Sequence, residues 1–329
     1  MYIAFTLDYE LFLGSKSGSI QKCLIEPLNA LQRSARNVRF TIFVDATYLY
    51  RIYQLMSLNK NLKQDYDCLC SHITQLRDSG HDIQLHIHPH WVYSQYSNGE
   101  WQLDHEHYKL SDLTAHEANE VVHDSKQLLD DILGYKTTIF RAGGFSAQPT
   151  ELLTSIFRNN DIIADSTVCP GTKYNSLQQL YDYTSAPNTD KYKFSNDLCK
   201  PDEIGAFTEI PISMLRVSPL FHWKLAYNRF FSSGKHQLYG DGISVKTTRD
   251  SIIHRLTKFY DCQATIDGYK INLLNKAYNC AKKNGRELLT VLGHPKLATP
   301  YSVERLSLFI GDATTRGDRF VTLKEILNE

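Results

Sequence analysis

Gly80-His81-Asp82-Ile83-Gln84-Leu85-His86-Ile87-His88-Pro89-His90-Trp91 reads as a short strand that ends in a crowd of imidazoles. Ile83, Leu85 and Ile87 alternate with Gln84, His86 and His88, the period of two that a strand requires. Pro89 has no N–H to donate and stops the ladder. A single histidine is usually a satisfied core or surface residue. Three in five residues at a strand end are a poor way to fill a core and a good way to hold a zinc-like cation.

The same kind of strand recurs outward from this stretch. Apolar runs at 3–7, 40–44, 138–140, 162–164, 207–211, 288–292 and 320–323 read as buried strands. Helical spacing appears at 25–36, with Pro27 in its first turn, then at 73–79, 150–159, 249–259, 268–284 and 303–313. Asp45 is placed to cap a helix after the second strand. Ser111 or Thr114 caps another, which Gly134 ends. Strands alternating with helices about seven times predict a parallel sheet or an α/β barrel. The sequence has no internal repeat, linker or low-complexity tract, so a single domain over residues 1–329 is expected, with a polar, irregular excursion at about 169–206. The polar, aromatic loop at 91–107 is long enough to suggest function.

Composition removes several classes. Lys plus Arg and Asp plus Glu both number 36, so the net charge is zero and nothing builds a basic field for nucleic acid or an anionic membrane. No apolar stretch approaches the length of a membrane span, and the opening residues do not read as an export signal. Seven cysteines without a framework spacing fit reduced thiols. A cytoplasmic protein is the resulting expectation. Twenty Tyr and fifteen Phe are many, and aromatics with polar tips suit carbohydrate as well as cores.

In α/β folds the functional side chains stand where strands end. Asp8, Glu10, His86, Arg141, Asp165 and His294 all fall at such ends. Asp8 and Glu10 are two residues apart; one can ligate a metal while the other acts as base. Arg141, ahead of Gly143 and Gly144, can steady a carboxylate by a paired hydrogen bond. The glycines let backbone approach a substrate and offer an N–H to an oxyanion. His294 can serve as an acid.

These residues together resemble the polysaccharide deacetylases of carbohydrate esterase family 4. Thr6-Leu7-Asp8-Tyr9-Glu10, His86-Ile87-His88-Pro89-His90, Arg141-Ala142-Gly143-Gly144-Phe145 and Leu292-Gly293-His294 are similar to that family's motifs, in its order. The resemblance implies a distorted (β/α)7 barrel. It implies Asp8 as base, steadied by Arg141, and Glu10, His86 and His90 as ligands of a divalent metal, zinc foremost, with cobalt or manganese as substitutes. Asp8 and Glu10 can exchange roles. His88 would be accessory. Phe145 would donate its N–H to the oxyanion, and His294 would protonate the leaving amine. Glu209, or failing it Asp165, would tune His294. Phe145, Trp91 and Glu209 are the expected substrate-side residues. The implied reaction is hydrolysis of the N-acetyl group of an amino sugar or polysaccharide precursor, lipid-linked or nucleotide-linked. The first motif departs from the family by placing Tyr9 between its acids, and the third by ending in Gly-Gly-Phe. The alternatives are a non-catalytic carbohydrate-binding barrel and a metallohydrolase acting on another non-peptide C–N bond.

Overall fold

The run Ile3–Leu7 lies inside a strand that spans Tyr2–Tyr9, and every residue from Ile3 onward in it is buried. A computed structural model describes residues 1–231 and 234–329, with the side chains of 229–231 left aside. The chain packs as two compact units. One comprises Met1–Val38 and Ile212–Val321, the other Arg39–Pro211 and Thr322–Glu329.

In the first unit the Tyr2–Tyr9 strand pairs in parallel with Leu288–Gly293, with Leu7 opposite Gly293. It also pairs in parallel with the short strand Arg319–Phe320. Both long strands are apolar on both faces, as parallel strands covered by helices must be. Phe5 stacks on Phe320 at 6.0 Å and meets Phe309 edge-on at 6.3 Å. Phe309 belongs to the helix Pro300–Thr315, capped by Thr299. The segment after the strand Tyr260–Gln263 runs along the far side of Leu288–Gly293: Leu292 N–H donates to the Ala264 carbonyl, and Ile266 N–H to that of Leu292. Gly293 is required there, because a Cβ would lie 2.6 Å from Ile266 and 2.8 Å from Leu7.

In the second unit the strands Thr41–Asp45, Asp82–Ile87, Ile139–Ala142, Ala164–Asp165 and Phe207–Glu209 are parallel neighbours in that order. Tyr192–Phe194 closes the edge antiparallel to the last of them. The helices Ala46–Leu55, Lys60–Asp78, Ala115–Leu133 and Thr150–Asn159 intervene. Asp45 caps the first, accepting from Tyr48 N–H, and Thr114 forms a capping box with Glu117 on the third. Gly134 ends that helix in the left-handed conformation, with φ 71°.

The differences from expectation are local. The loop at 91–107 holds a hairpin, Gln95–Ser97 against Glu100–Gln102, turned by Asn98 and Gly99. The excursion at 169–206 contains a second hairpin, Lys173–Asn175 with Leu180–Asp182. The stretch 320–323 is not one strand, because Thr322 caps the helix Leu323–Leu327. Among the described residues no helix is long and apolar enough to cross a membrane.

Candidate active site

The acids of the first unit come from the end of its opening strand. Asp8 lies in the strand and Glu10 just beyond it, 2% and 6% exposed. His294 follows the adjacent parallel strand, so both elements deliver polar groups to one edge. His294 Nε2 lies 3.6 Å from Asp8 Oδ2 and 3.6 Å from Glu10 Oε1. Its other nitrogen, Nδ1, is 2.9 Å from Asp267 Oδ2, and its backbone N–H donates to Asp267 Oδ1 at 2.8 Å. Asp267 is brought there by the segment that pairs with Leu292, and its own N–H donates to Thr265 Oγ1. Burial by itself would lower the His294 pKa. The charge and hydrogen bond of Asp267, then the charges of Asp8 and Glu10, outweigh burial and raise it above 6.5. The same contact holds Asp267 below the usual carboxylate value despite its burial.

Asp267 was not among the expected residues. The acid partner of His294 is Asp267, in place of Glu209 or Asp165. Lys296 was also unforeseen. It is buried, and its Nζ donates to Glu10 Oε1 at 2.9 Å and to the Leu11 carbonyl at 2.6 Å. Its ammonium also lies 5.2 Å from the Phe12 ring centre.

In the second unit the Asp82–Ile87 strand carries His86, and the next residues carry His88 and His90. His86 Nδ1 is 2.9 Å from the Arg141 carbonyl, which can only accept. The neutral ring therefore carries its proton on Nδ1 and its lone pair on Nε2, the arrangement of a metal-binding imidazole oriented by a carbonyl. The His88 ring centre lies 4.7 Å from that of His86. Gly143 makes room for it: a Cβ there would stand 2.5 Å from His88 Nδ1 and 2.6 Å from the Ile87 carbonyl. His90 opens the short helix His90–Tyr93 and stacks on Tyr108 at 4.9 Å. Trp91 is fully enclosed between Tyr48 and Trp101, so its ring is a packing element and not a surface offered to a sugar.

Arg141 is wholly buried. Its Nε donates to the Ser166 carbonyl at 2.7 Å and its Nη2 to Ser166 Oγ at 3.0 Å, with the guanidinium 4.1 Å above the Phe43 ring. Gly144 and Phe145 both have φ 59°. For Phe145 that is a strained conformation of the kind concentrated at functional sites.

Asp165 and Glu209 sit opposite each other on neighbouring parallel strands, and both are fully buried. Thr167 donates through Oγ1 and N–H to Asp165, and Val168 N–H donates to Glu209 Oε1. Burial, and then the charge of Asp165, pushes the Glu209 pKa well above 4.5. Burial also raises that of Asp165. Burial thus favours the protonated form of this pair. Full enclosure also takes Glu209 off the substrate side.

No protein-family model matches the chain, and no curated protein matches it. Solved structures do. A protein from Mycobacterium smegmatis described as a polysaccharide deacetylase is 14% identical, with a TM-score of 0.54 over 99% of this chain and 88% of that one. One from Pseudomonas aeruginosa PAO1 is 12% identical, with a TM-score of 0.52 over 99% and 89%. A 4-alpha-glucanotransferase from Thermococcus litoralis is 11% identical, with a TM-score of 0.53, and this chain covers 40% of it. One backbone thus serves different reactions, and at these identities the likeness speaks for the fold. The chain has the distorted α/β barrel fold of the solved polysaccharide deacetylases, at a far remove from them in sequence.

Proposed function

We propose that the chain is a metal-dependent hydrolase that removes the N-acetyl group of an amino sugar or polysaccharide precursor. The observation that carries this reading is the imidazole of His294, held by Asp267 on one side and facing two carboxylates on the other. Amide hydrolysis needs such a couple, in which one group takes a proton from water and another gives one to the departing nitrogen. The two fold relatives described as polysaccharide deacetylases favour the same class.

The donor set fits a divalent cation, because His86 has its lone pair on Nε2 and imidazole with carboxylate is an ordinary zinc set. Glu10 and His86 are the proposed ligands. His88 is one candidate for the third and His90, from the family motif, is the other. A bound cation of this kind supplies Lewis acidity and a more acidic water.

The chain's own residues do the rest. Asp8 accepts the proton of the attacking water, and Arg141 steadies that carboxylate. The new C–O bond forms as the carbonyl becomes an oxyanion, to which the Phe145 N–H donates. Protonated His294 then gives its Nε2 proton to the amide nitrogen. The C–N bond breaks, and acetate and a free amine leave. Asp267 keeps Nδ1–H oriented throughout, so Nε2 remains the donor.

The test is acetate release from a panel of N-acetylated sugars, with Zn²⁺, Co²⁺ or Mn²⁺ supplied to metal-stripped protein. Release that requires metal and disappears in His294→Ala and Glu10→Ala is the expected result. Sugar binding without release under every condition would return the chain to the non-catalytic alternative. Metal content of Glu10→Ala, His86→Ala, His88→Ala and His90→Ala identifies the ligands, and the third ligand is whichever of the last two lowers it.

A further inference from the structure

The helices Pro219–Phe231 and Arg249–Thr257 belong to the first unit and take no part in the site. Leu220, Trp223 and Tyr227 stand at i, i+3 and i+7 on the first, which makes one stripe. They are 63%, 58% and 65% exposed. His222, on the opposite side, is the residue that turns inward, where it hydrogen-bonds Tyr260. The second helix buries none of its residues, and Ile252 and Ile253 are about half exposed. Phe259 follows it at 57%. Trp223 Nε1–H donates to the Leu256 carbonyl and ties the two helices side by side. Helices ordinarily bury such a stripe, and a contiguous exposed patch of this kind marks an interaction surface.

Charge selects the partner. Between 219 and 259 the sequence has seven Lys and Arg against two Asp, in a chain whose net charge is zero. Lys224, Lys246, Arg249 and Lys258 are exposed and make no ion pair among the described residues. One of the two acids, Asp241, is occupied by Ser19. Exposed Trp, Tyr, Leu and Ile interspersed in sequence with exposed cations are the composition of an element that lies in the headgroup region of a bilayer.

We propose that this face docks on an anionic phospholipid surface. The apolar stripe enters the headgroup–acyl boundary, and the flanking cations meet lipid phosphates. The inference stands independently of the catalytic reading.

The test is co-sedimentation of the full chain with vesicles of phosphatidylcholine alone and of an equimolar mixture with phosphatidylglycerol. Binding to the mixture that weakens as salt is raised is the expected result. Each cation near such a surface contributes about fivefold to partition, so Lys224→Gln with Lys258→Gln lowers it about 25-fold. Leu220→Ser with Tyr227→Ser abolishes it while leaving the circular dichroism spectrum unchanged. Trp223 is kept in this variant because its indole N–H ties the two helices together. Acetate release from a water-soluble N-acetyl sugar is expected to be the same in all these variants, which separates this result from the fate of the deacetylase reading. Equal pelleting with both vesicle types, pelleting with neither, or pelleting that the variants leave unchanged overturns the proposal. So does a dimer in sedimentation velocity that Leu220→Ser with Tyr227→Ser dissociates without any vesicle binding, since the face would then be a contact between copies.

Discussion

Asp267 grips His294 twice, through the ring Nδ1 at 2.9 Å and the backbone N–H at 2.8 Å, while the other ring nitrogen stands 3.6 Å from both Asp8 and Glu10. The carboxylate therefore fixes tautomer, ring orientation and main-chain position together. Asp267→Asn keeps the shape but removes the charge that raises the His294 pKa, and its amide N–H can face Nδ1, so the doubly protonated ring that donates from Nε2 is disfavoured. By analogy with the loss of the orienting acid in hydrolytic triads, kcat is expected to fall by about 10²–10⁴-fold. Substrate affinity and metal content should stay near wild type, because Asp267 touches neither in the proposed scheme. Steady-state kinetics paired with metal analysis check this, and an unchanged kcat would remove Asp267 from the mechanism.

Gly143 is a second point where one atom decides the outcome. A methyl group there meets His88 Nδ1 at 2.5 Å and the Ile87 carbonyl at 2.6 Å, and the carbonyl belongs to a ladder strand that cannot retreat. The imidazole must move. Gly143→Ala is expected to fold with a loss of about 1–3 kcal/mol from overpacking. If His88 is the third ligand, metal affinity falls at least about tenfold, the effect of disturbing ligand orientation. Metal titration of the purified variant decides between His88 and His90, because His90 sits on the following helix beside Tyr108 and is spared the clash.

The Asp165–Glu209 pair predicts a pH signature. Glu209 titrates above its ordinary value in the folded chain, chiefly because it is buried and then because Asp165 faces it. Between the unfolded carboxyl pKa, about 4.3, and the higher folded one, the native state holds a proton that the unfolded state has lost. The stability Glu209 contributes is thus complete below about pH 4.3 and drains away as pH rises toward the folded value. Glu209→Gln carries a permanent neutral donor and lacks this slope. Its melting temperature should match wild type in acid and exceed it increasingly toward alkaline pH. Parallel pH–melting curves for the two proteins would refute a raised Glu209 pKa.

The strands were legible because parallel strands covered on both faces are plain apolar runs, and Ile3–Leu7 and Leu288–Leu292 carry no other signal. Capping was legible too, since Asp45, Thr114 and Gly134 act through local chemistry. Asp267 was not, because it rides on Ala264–Asp267, a segment bound to its neighbour by an isolated bridge and too short to show a period. The helix Pro219–Phe231 escaped notice for the opposite reason. Its apolar stripe is present but points outward, so it defines no core to which the segment could be assigned. Lys296 follows the last motif by two residues, and only the turn at Pro295–Leu297 reveals that its long side chain folds back under Glu10.

That last contact sets up a competition. Lys296 and Glu10 are both about 7% exposed and joined at 2.9 Å, so each offsets the cost of burying the other. A divalent ion on Glu10 would share the carboxylate that Lys296 now holds. Lys296→Met keeps the length and apolar stem but removes the ammonium, leaving Glu10 a buried charge without it. The metal-free variant is expected to lose about 3–5 kcal/mol, the cost of breaking a buried pair. Added Zn²⁺ then replaces the missing cation. The rise in melting temperature on saturation should be larger in Lys296→Met than in wild type, because binding to the folded state adds RT ln(1 + [L]/Kd) and the dissociation constant falls once the lysine no longer competes. Calorimetry with and without Zn²⁺ on both proteins measures the difference. Equal shifts in the two would mean that the ion does not reach Glu10, and the ligand set would have to be drawn without it.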